Sequence, residues 1–275
     1  MEIRYPSNPS DFQTYDTDRI RREFLVQNLF TTGKMALIYS HFDRMVIGGV
    51  CPVTPLPLQA GKALGTDYFL ERREMGIINV GPPGKVTVDG REFELDKTDG
   101  LYIGKNSKEV LFASLDPQHP AHFYMLSGPA HQQYATLKVI RAEAETARLG
   151  TPQEANVRVL YKYIHPAGVP SCQLVMGMTV LESGSVWNSM PCHTHERRME
   201  VYFYFDLTPD AILLHLMGNP EETRHIVMRN EEAVISPSWS IHAGAGTSNY
   251  AFIWGMLGDN QTFTDMDAVD LAGFR

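Results

Sequence analysis

The chain is written almost entirely in short β-branched and aromatic runs cut by Gly, Pro and Asp. In the first half these are MALIYS, RMVIGGV, YFLE, MGIINV, KVTVDG, REFEL, GLYIG and EVLFAS. In the second they are CQLVMGMTVL, EVYFYF, AILLHLMG, RHIVM, EAVISP and YAFIWGML. Turn residues return too often for long helices, and many short strands at this spacing build a sandwich or a barrel. Two segments depart from the pattern. Thr17–Leu29 (TDRIRREFLVQNL) places Ile20, Phe24 and Leu29 near helical spacing, with Asp16 or Thr17 as a cap. Lys138–Asn156 contains RAEAETARLG, closed by Gly150 and Pro152, which predicts a short helix and a connection between two β units. The expectation is an all-β protein with minor helix: a first barrel over 1–137 that includes the N-terminal helix, a linker at 138–156, and a second barrel over 157–275. A chain of 275 residues, 43% hydrophobic, can bury the core of one large domain or of two ordinary ones.

An internal echo supports two related units. Glu71-Arg72-Arg73-Glu74 before MGIINV resembles the stretch from Glu196 to Glu200 before VYFYF. LYIGKNSKEV takes the place of AVISPSWSIH, so that setting Ile103 against Ile235 puts Val110 opposite His242. Tyr68 and Leu70 then fall opposite His193 and His195, and the first unit is expected to follow the same plan without metal ligands.

The chemistry concentrates in WNSMPCHTHERRMEVYFYF, where His193 and His195 stand two apart, with Glu200 beyond them and His242 in PSWSIH. Residues i and i+2 of a strand face the same way, so two imidazoles can reach one point. Imidazole nitrogens with one carboxylate oxygen suit zinc, manganese, iron or nickel. Glu200 has the opposite parity to His195, which requires a turn or bulge near Arg197–Met199. The plainer alternative is two surface histidines on a strand end, with His242 a hydrogen-bonded core residue. Cys192 reads as a small buried hydrophobe, with a soft ligand as its alternative.

A net charge of −8 without runs argues against a nucleic-acid partner. No apolar run reaches membrane-span length, and MEIRYPSNPSDF has no apolar signal core. Three cysteines at unrelated spacings suit a reducing cytoplasm.

His-x-His-x4-Glu followed by Pro-x-x-x-x-His is similar to the two signature motifs of the cupin superfamily, although Leu207 and Trp239 stand where those motifs commonly have glycine. RREFLV, FLERRE, LYIGK, MPCHTHERRMEVYFYF, ETRHIVM, EAVISPSWSIH and FIWGM together resemble the 5-keto-4-deoxyuronate isomerase family of two-barrel cupins. The resemblance implies two double-stranded β-helix barrels, and zinc as the one divalent metal per chain, on His193, His195, Glu200 and His242. It implies a homohexamer in the cytoplasm that turns 5-dehydro-4-deoxy-D-glucuronate into 3-deoxy-D-glycero-2,5-hexodiulosonate, a step of pectin and uronate breakdown. Close alternatives are a cupin isomerase acting on 5-deoxy-glucuronate, an iron-dependent cupin dioxygenase, and a non-catalytic metal-stabilised sugar-binding module.

Aldose–ketose isomerisation passes through an enediolate and needs both a charge stabiliser and a base. A metal with an open position would serve as the first, whereas a closed four-ligand zinc would be structural. For the base, Glu200 is weakened by metal binding, and Tyr202, Tyr204, His215 or a metal-held hydroxide are further candidates. Arg197, Arg198 and Arg224 are candidates for the carboxylate of a small anionic sugar, with surface or inter-subunit ion pairs as the alternative. Trp239 and Met190 could wall the site or simply pack at the barrel mouth.

Overall fold

The protein is described from a computed structural model, which covers residues 1–60 and 62–275. The chain divides into two compact units. The first comprises residues 1–5, 28–145 and 162–176, and the second 6–27, 146–161 and 177–275. The expected boundaries at 137 and 157 therefore do not separate the units. The N-terminal helix, Thr17–Phe24, belongs to the second unit, not the first. Asp16 caps it by accepting from the Arg19 N–H at 2.8 Å. It ends before the expected Leu29, because Leu25 and Val26 leave it to pair with Val234 and Ala233.

The segment expected to be helical is not. Leu137–Val139 and Glu145–Leu149 are strands, joined by a 3-10 turn at Arg141–Glu143. Helix preference over so short a stretch amounts to a few tenths of a kcal/mol per residue and is readily overridden by strand pairing.

The two units have the same plan. In the first, a seven-stranded sheet runs Glu2–Arg4, Lys34–Ser40, Val46–Cys51, Phe123–Pro129, Arg73–Asn79, Gly100–Ile103, Leu137–Val139. A four-stranded sheet runs Leu56–Pro57, Val110–Ser114, Gly84–Val88, Arg91–Leu95. The second unit has a seven-stranded sheet centred on Val175–Leu181, Ala251–Gly258, Arg198–Phe205 and Glu232–Ser236. Its four-stranded sheet repeats the order of the first: Trp187–Asn188, Ile241–Gly246, Leu213–Asn219, Glu222–Met228. The expected pair of β-barrels with little helix is what the chain forms.

Between the sheets of the first unit lies an apolar core that includes Met75, Ile77, Ile103, Val110 and Phe112. Met75 pairs with Ile103, as Glu200 pairs with Ser236 in the second unit. The ERR tripeptides therefore align without a gap, and Met75 takes the inward place of Glu200. This corrects the alignment of Ile103 with Ile235: Ile103 is in the core, whereas Ile235 pairs with Val201, which alternates with inward-facing Glu200. Glu74, one step from Met75, is fully buried. It accepts the Tyr102 hydroxyl at 2.8 Å and the N–H groups of Cys172, Gln173 and Leu174 at 2.7, 2.8 and 2.9 Å. No helix among the described residues is long and apolar enough to cross a membrane.

Candidate metal centre and its cavity

His193 sits in the short strand His193–Thr194, which pairs with Asp267–Ala268 in the register His193 to Ala268. The chain then turns over Glu196 and Arg197, closed by the Arg198 N–H donating to the His195 carbonyl at 3.0 Å. This is the turn that the parity of Glu200 required. From Arg198 to Phe205 the strand is regular and buried on both faces. Arg198, Glu200 and Tyr202 point into a cavity, while Met199, Val201 and Phe203 alternate with them. His242 comes from the four-stranded sheet, where it pairs with Met217.

The four side chains converge. His242 Nε2 lies 3.1 Å from His193 Nε2 and 2.9 Å from Glu200 Oε2, and His195 Nε2 lies 3.0 Å from the same oxygen. One potential ligand atom from each residue falls within 4.8 Å of all the others. The Arg198 carbonyl stands 2.8 Å from His195 Nδ1. A carbonyl only accepts, so Nδ1 carries the proton and Nε2 is left to face inward. The Ser240 carbonyl, 3.4 Å from His242 Nδ1, orients that ring more loosely in the same sense.

The electrostatics suit a cation. Burial opposes the charge on Glu200, but His242 and His195 outweigh it and hold its carboxyl well below the usual range. Burial also opposes the charged form of His195, yet the hydrogen bond to Glu200 lifts its pKa. Burial, and then the His242 charge, push His193 down to about 3. Three imidazoles around one buried carboxylate, with their Nε2 atoms turned inward, are a donor set that fits a divalent transition metal once those nitrogens give up their protons.

The cavity measures about 260 Å3. Ligand pockets for drug-sized molecules run roughly 300–1,000 Å3, so this one suits a small substrate. Its polar lining includes Arg158, Thr179, Ser189, Arg198 and Tyr202 beside the metal-type residues. Leu160, Phe252, Trp254, Met256, Phe263 and Met266 give it apolar walls. Trp254 and Met256 are the cross-strand partners of Tyr202 and Glu200.

Of the three candidate arginines only Arg198 lines the cavity. It is 1% exposed; its Nη2 donates to the Asp265 carbonyl at 2.8 Å, and among the described residues its Nε and Nη1 have no hydrogen-bond partner. Burial lowers its pKa. Arg197, at the crest of the turn, pairs with Asp265 and Asp267. Arg224 pairs with Glu222 at 2.8 Å and donates to the Gln13 carbonyl at 2.9 Å. Trp239, in the turn closed by Ser240 N–H to Pro237 carbonyl, packs on Phe12 with ring centroids 5.2 Å apart. Met190 packs against Cys192, Ile241 and Ala243, which also makes Cys192 the small hydrophobe expected. Arg197, Arg224, Trp239 and Met190 thus lie outside the cavity lining.

Among the base candidates, Tyr202 faces the cavity, 3% exposed, with its hydroxyl 2.8 Å from Ser189 Oγ. Burial raises its pKa well above 10. Tyr204 and His215 bond to each other at 2.8 Å without reaching the lining, and burial takes His215 down to about 3. Sequence reasoning missed Arg158, Ser189 and the Phe252–Trp254–Met256 wall. Their signal was only the period-2 alternation of strands that carry no motif.

A family model described as the KduI/IolB family matches residues 24–271. A protein of Caldicellulosiruptor bescii named 4-deoxy-L-threo-5-hexosulose-uronate ketol-isomerase is 57% identical over 272 residues, spanning 98% of this chain and 99% of its own. A protein of the same name from Halalkalibacterium halodurans is 55% identical over 276 residues, covering 100% of both. Among solved structures, an IolB-like protein from Salmonella typhimurium LT2 superposes with a TM-score of 0.72 at 12% identity, over 90% of this chain and 96% of that one. Bacillus subtilis oxalate decarboxylase, described with Mn(II) centres, reaches 0.57 at 8% identity, over 88% and 77%. These two share the cupin-type fold with it. On the strength of the family match and relatives more than half identical over their whole length, the chain belongs to the KduI/IolB family.

Proposed function

We propose that the protein is a ketol-isomerase that converts 5-dehydro-4-deoxy-D-glucuronate into 3-deoxy-D-glycero-2,5-hexodiulosonate through an enediol, in uronate and pectin breakdown. The observation that carries the reading is a buried guanidinium, Arg198, whose Nε and Nη1 have no partner among the described residues, in the small cavity lined by His193, His195 and Glu200 of a convergent His3Glu set. The close relatives named as ketol-isomerases give the reaction its substrate.

In this reading His193, His195, Glu200 and His242 hold one divalent cation per chain, with zinc as the first candidate. When bound, it supplies Lewis-acid stabilisation of negative charge on neighbouring substrate oxygens. The reaction takes a proton from C2 and returns one to C1, while the hydroxyl proton of O2 is lost and O1 gains one. Arg198 donates to an anionic substrate oxygen through Nε or Nη1, a charge-assisted bond in a site shielded from water. Tyr202 is the hydroxyl best placed to shuttle a proton, with Ser189 to orient it. The apolar wall keeps water from the enediolate. A homohexamer in the cytoplasm completes the proposal, and light scattering on the purified protein checks the assembly.

The deciding experiment is turnover of the uronate in deuterated water, run anaerobically, with metal-loaded and metal-stripped protein. Deuterium on the product carbon that was C1 of the substrate (the CH2OH carbon), independence from oxygen and loss of turnover on stripping are expected. An oxygen requirement points to the dioxygenase alternative, and saturable binding without conversion to the sugar-binding module. Either one refutes the proposal.

A further inference from the structure

Arg158 is a second guanidinium on the cavity wall, and no motif announces it. It opens the strand Arg158–Ile164 and lines the cavity together with Leu160, two residues on. Its Nη1 donates to the Asn156 carbonyl at 2.8 Å, which fixes the plane of the group from behind. Among the described residues it forms no ion pair, although it is half-buried. The carboxylate that acts on it, Glu154, is exposed and forms no ion pair with it among the described residues, so a half-buried cation at a cavity wall is left able to take an anion from the cavity.

The two guanidiniums of the cavity keep different company. The charge of Arg198 acts on His193 and His195, and its own surroundings are Glu200 and Asp265. Arg158 instead interacts with Tyr202 and Tyr250, and less with the exposed Glu154. One cation therefore shares the strand of Glu200, and the other stands on a strand separated from it in the sheet by Val175–Leu181 and Ala251–Gly258. The proposed substrate has the same polarity. Its reacting oxygens are on C1 and C2, and its carboxylate is C6, at the far end of the carbon chain.

We propose, resting on the isomerase reading above, that Arg158 binds the substrate carboxylate and makes the cavity select uronates over neutral sugars, while Arg198 serves the oxygens at the reacting end. Guanidinium takes a carboxylate through two parallel N–H···O bonds. A neutral sugar leaves Arg158 desolvated and unpaired, so discrimination comes from a penalty against the wrong ligand as well as from attraction to the right one.

The test uses the metal-loaded, full-length protein and two readouts. Calorimetry compares D-glucuronate with D-glucuronamide, which differ only at C6, a carboxylate against a neutral carboxamide; steady-state kinetics uses the deoxy-keto-uronate. Wild type should prefer glucuronate by about 100-fold. Arg158→Met should erase most of that preference and raise KM by a similar factor, with kcat falling much less. Arg158→Lys, which keeps the charge without the fork, should retain an intermediate preference, and it carries the test if the Met variant does not fold. A preference that survives in Arg158→Met, or is absent from wild type, overturns the assignment. A wild type that prefers glucuronate through Arg158 yet never converts the keto-uronate upholds the assignment and sinks the isomerase reading instead.

Discussion

Arg198→Met separates a residue kept for function from one kept for stability. The guanidinium is 1% exposed with Nε and Nη1 unpaired. Each buried donor without a partner costs about 1–3 kcal/mol, so the pair burdens the fold by roughly 2–6 kcal/mol. Against this stands the bond from Nη2 to the Asp265 carbonyl, worth about 1.5–3 kcal/mol for a charged donor. Methionine follows the same path with an unbranched apolar chain and ends the desolvation penalty. The variant should thus be as stable as wild type or more so, by up to roughly 3 kcal/mol. Its kcat should fall about 100- to 1,000-fold, as expected for removing one donor to developing negative charge. Urea unfolding of the metal-loaded forms, alongside steady-state kinetics, reads both quantities. A variant destabilised by more than about 2 kcal/mol, or one that keeps its kcat, would refute the reasoning, because the nitrogens would then be serving the fold.

Three further outcomes follow from the structure. His242→Ala opens a gap between His193 and Glu200, and should reduce bound metal from one per chain to a small fraction, with isomerase activity lost in parallel; elemental analysis showing full occupancy would contradict the assignment. His215, held at about 3 against 6.5 when unfolded, stays neutral in the fold, so the unfolded chain binds the extra proton between those values. Stability should accordingly decline as pH falls through that window, by at most about 1.4 kcal/mol per pH unit for this group, and His215→Asn should flatten the slope by that amount in denaturation series run across it. Glu74→Gln turns an acceptor of four hydrogen bonds into a group with an NH2 facing donors, and should cost about 3–5 kcal/mol in urea unfolding while metal stoichiometry stays at one; an unchanged midpoint would mean the carboxylate is dispensable.

What could be read from the sequence was whatever depends on local period and spacing. The i, i+2 histidines, the parity conflict at Glu200 and the distant His242 pointed to one candidate centre, because strand geometry leaves few ways to bring them together. The turn at Glu196–Arg197 is where that conflict is relieved. What failed depended on partners far along the chain. RAEAETARLG favours helix on its own, yet Glu145–Leu149 becomes an edge strand, with Arg148 bound to Glu182 at 2.8 Å. Arg197 and Arg198 are indistinguishable in sequence, but one step along the chain sends one to Asp265 and Asp267 and the other into the cavity. Arg158 was invisible because it belongs to no motif, and its place at the cavity wall depends on strands far along the chain.

The pairing of His193–Thr194 with Asp267–Ala268 bears on the order in which the centre can be built. A ribosome delivers His193, His195, Glu200 and His242 before the segment that clamps the first of them. Until residues 265–268 emerge, the HTH stretch lacks its flanking strand, and Arg197 lacks its carboxylates. Under the proposed metal reading, a nascent chain would hold an ion with imidazoles not yet fixed in place, and so with little preference among divalent ions. On that reading discrimination among ions would be a property of the finished unit, and a fusion that disturbs residues 265–268 should show first as mis-metallation, ahead of any loss of fold.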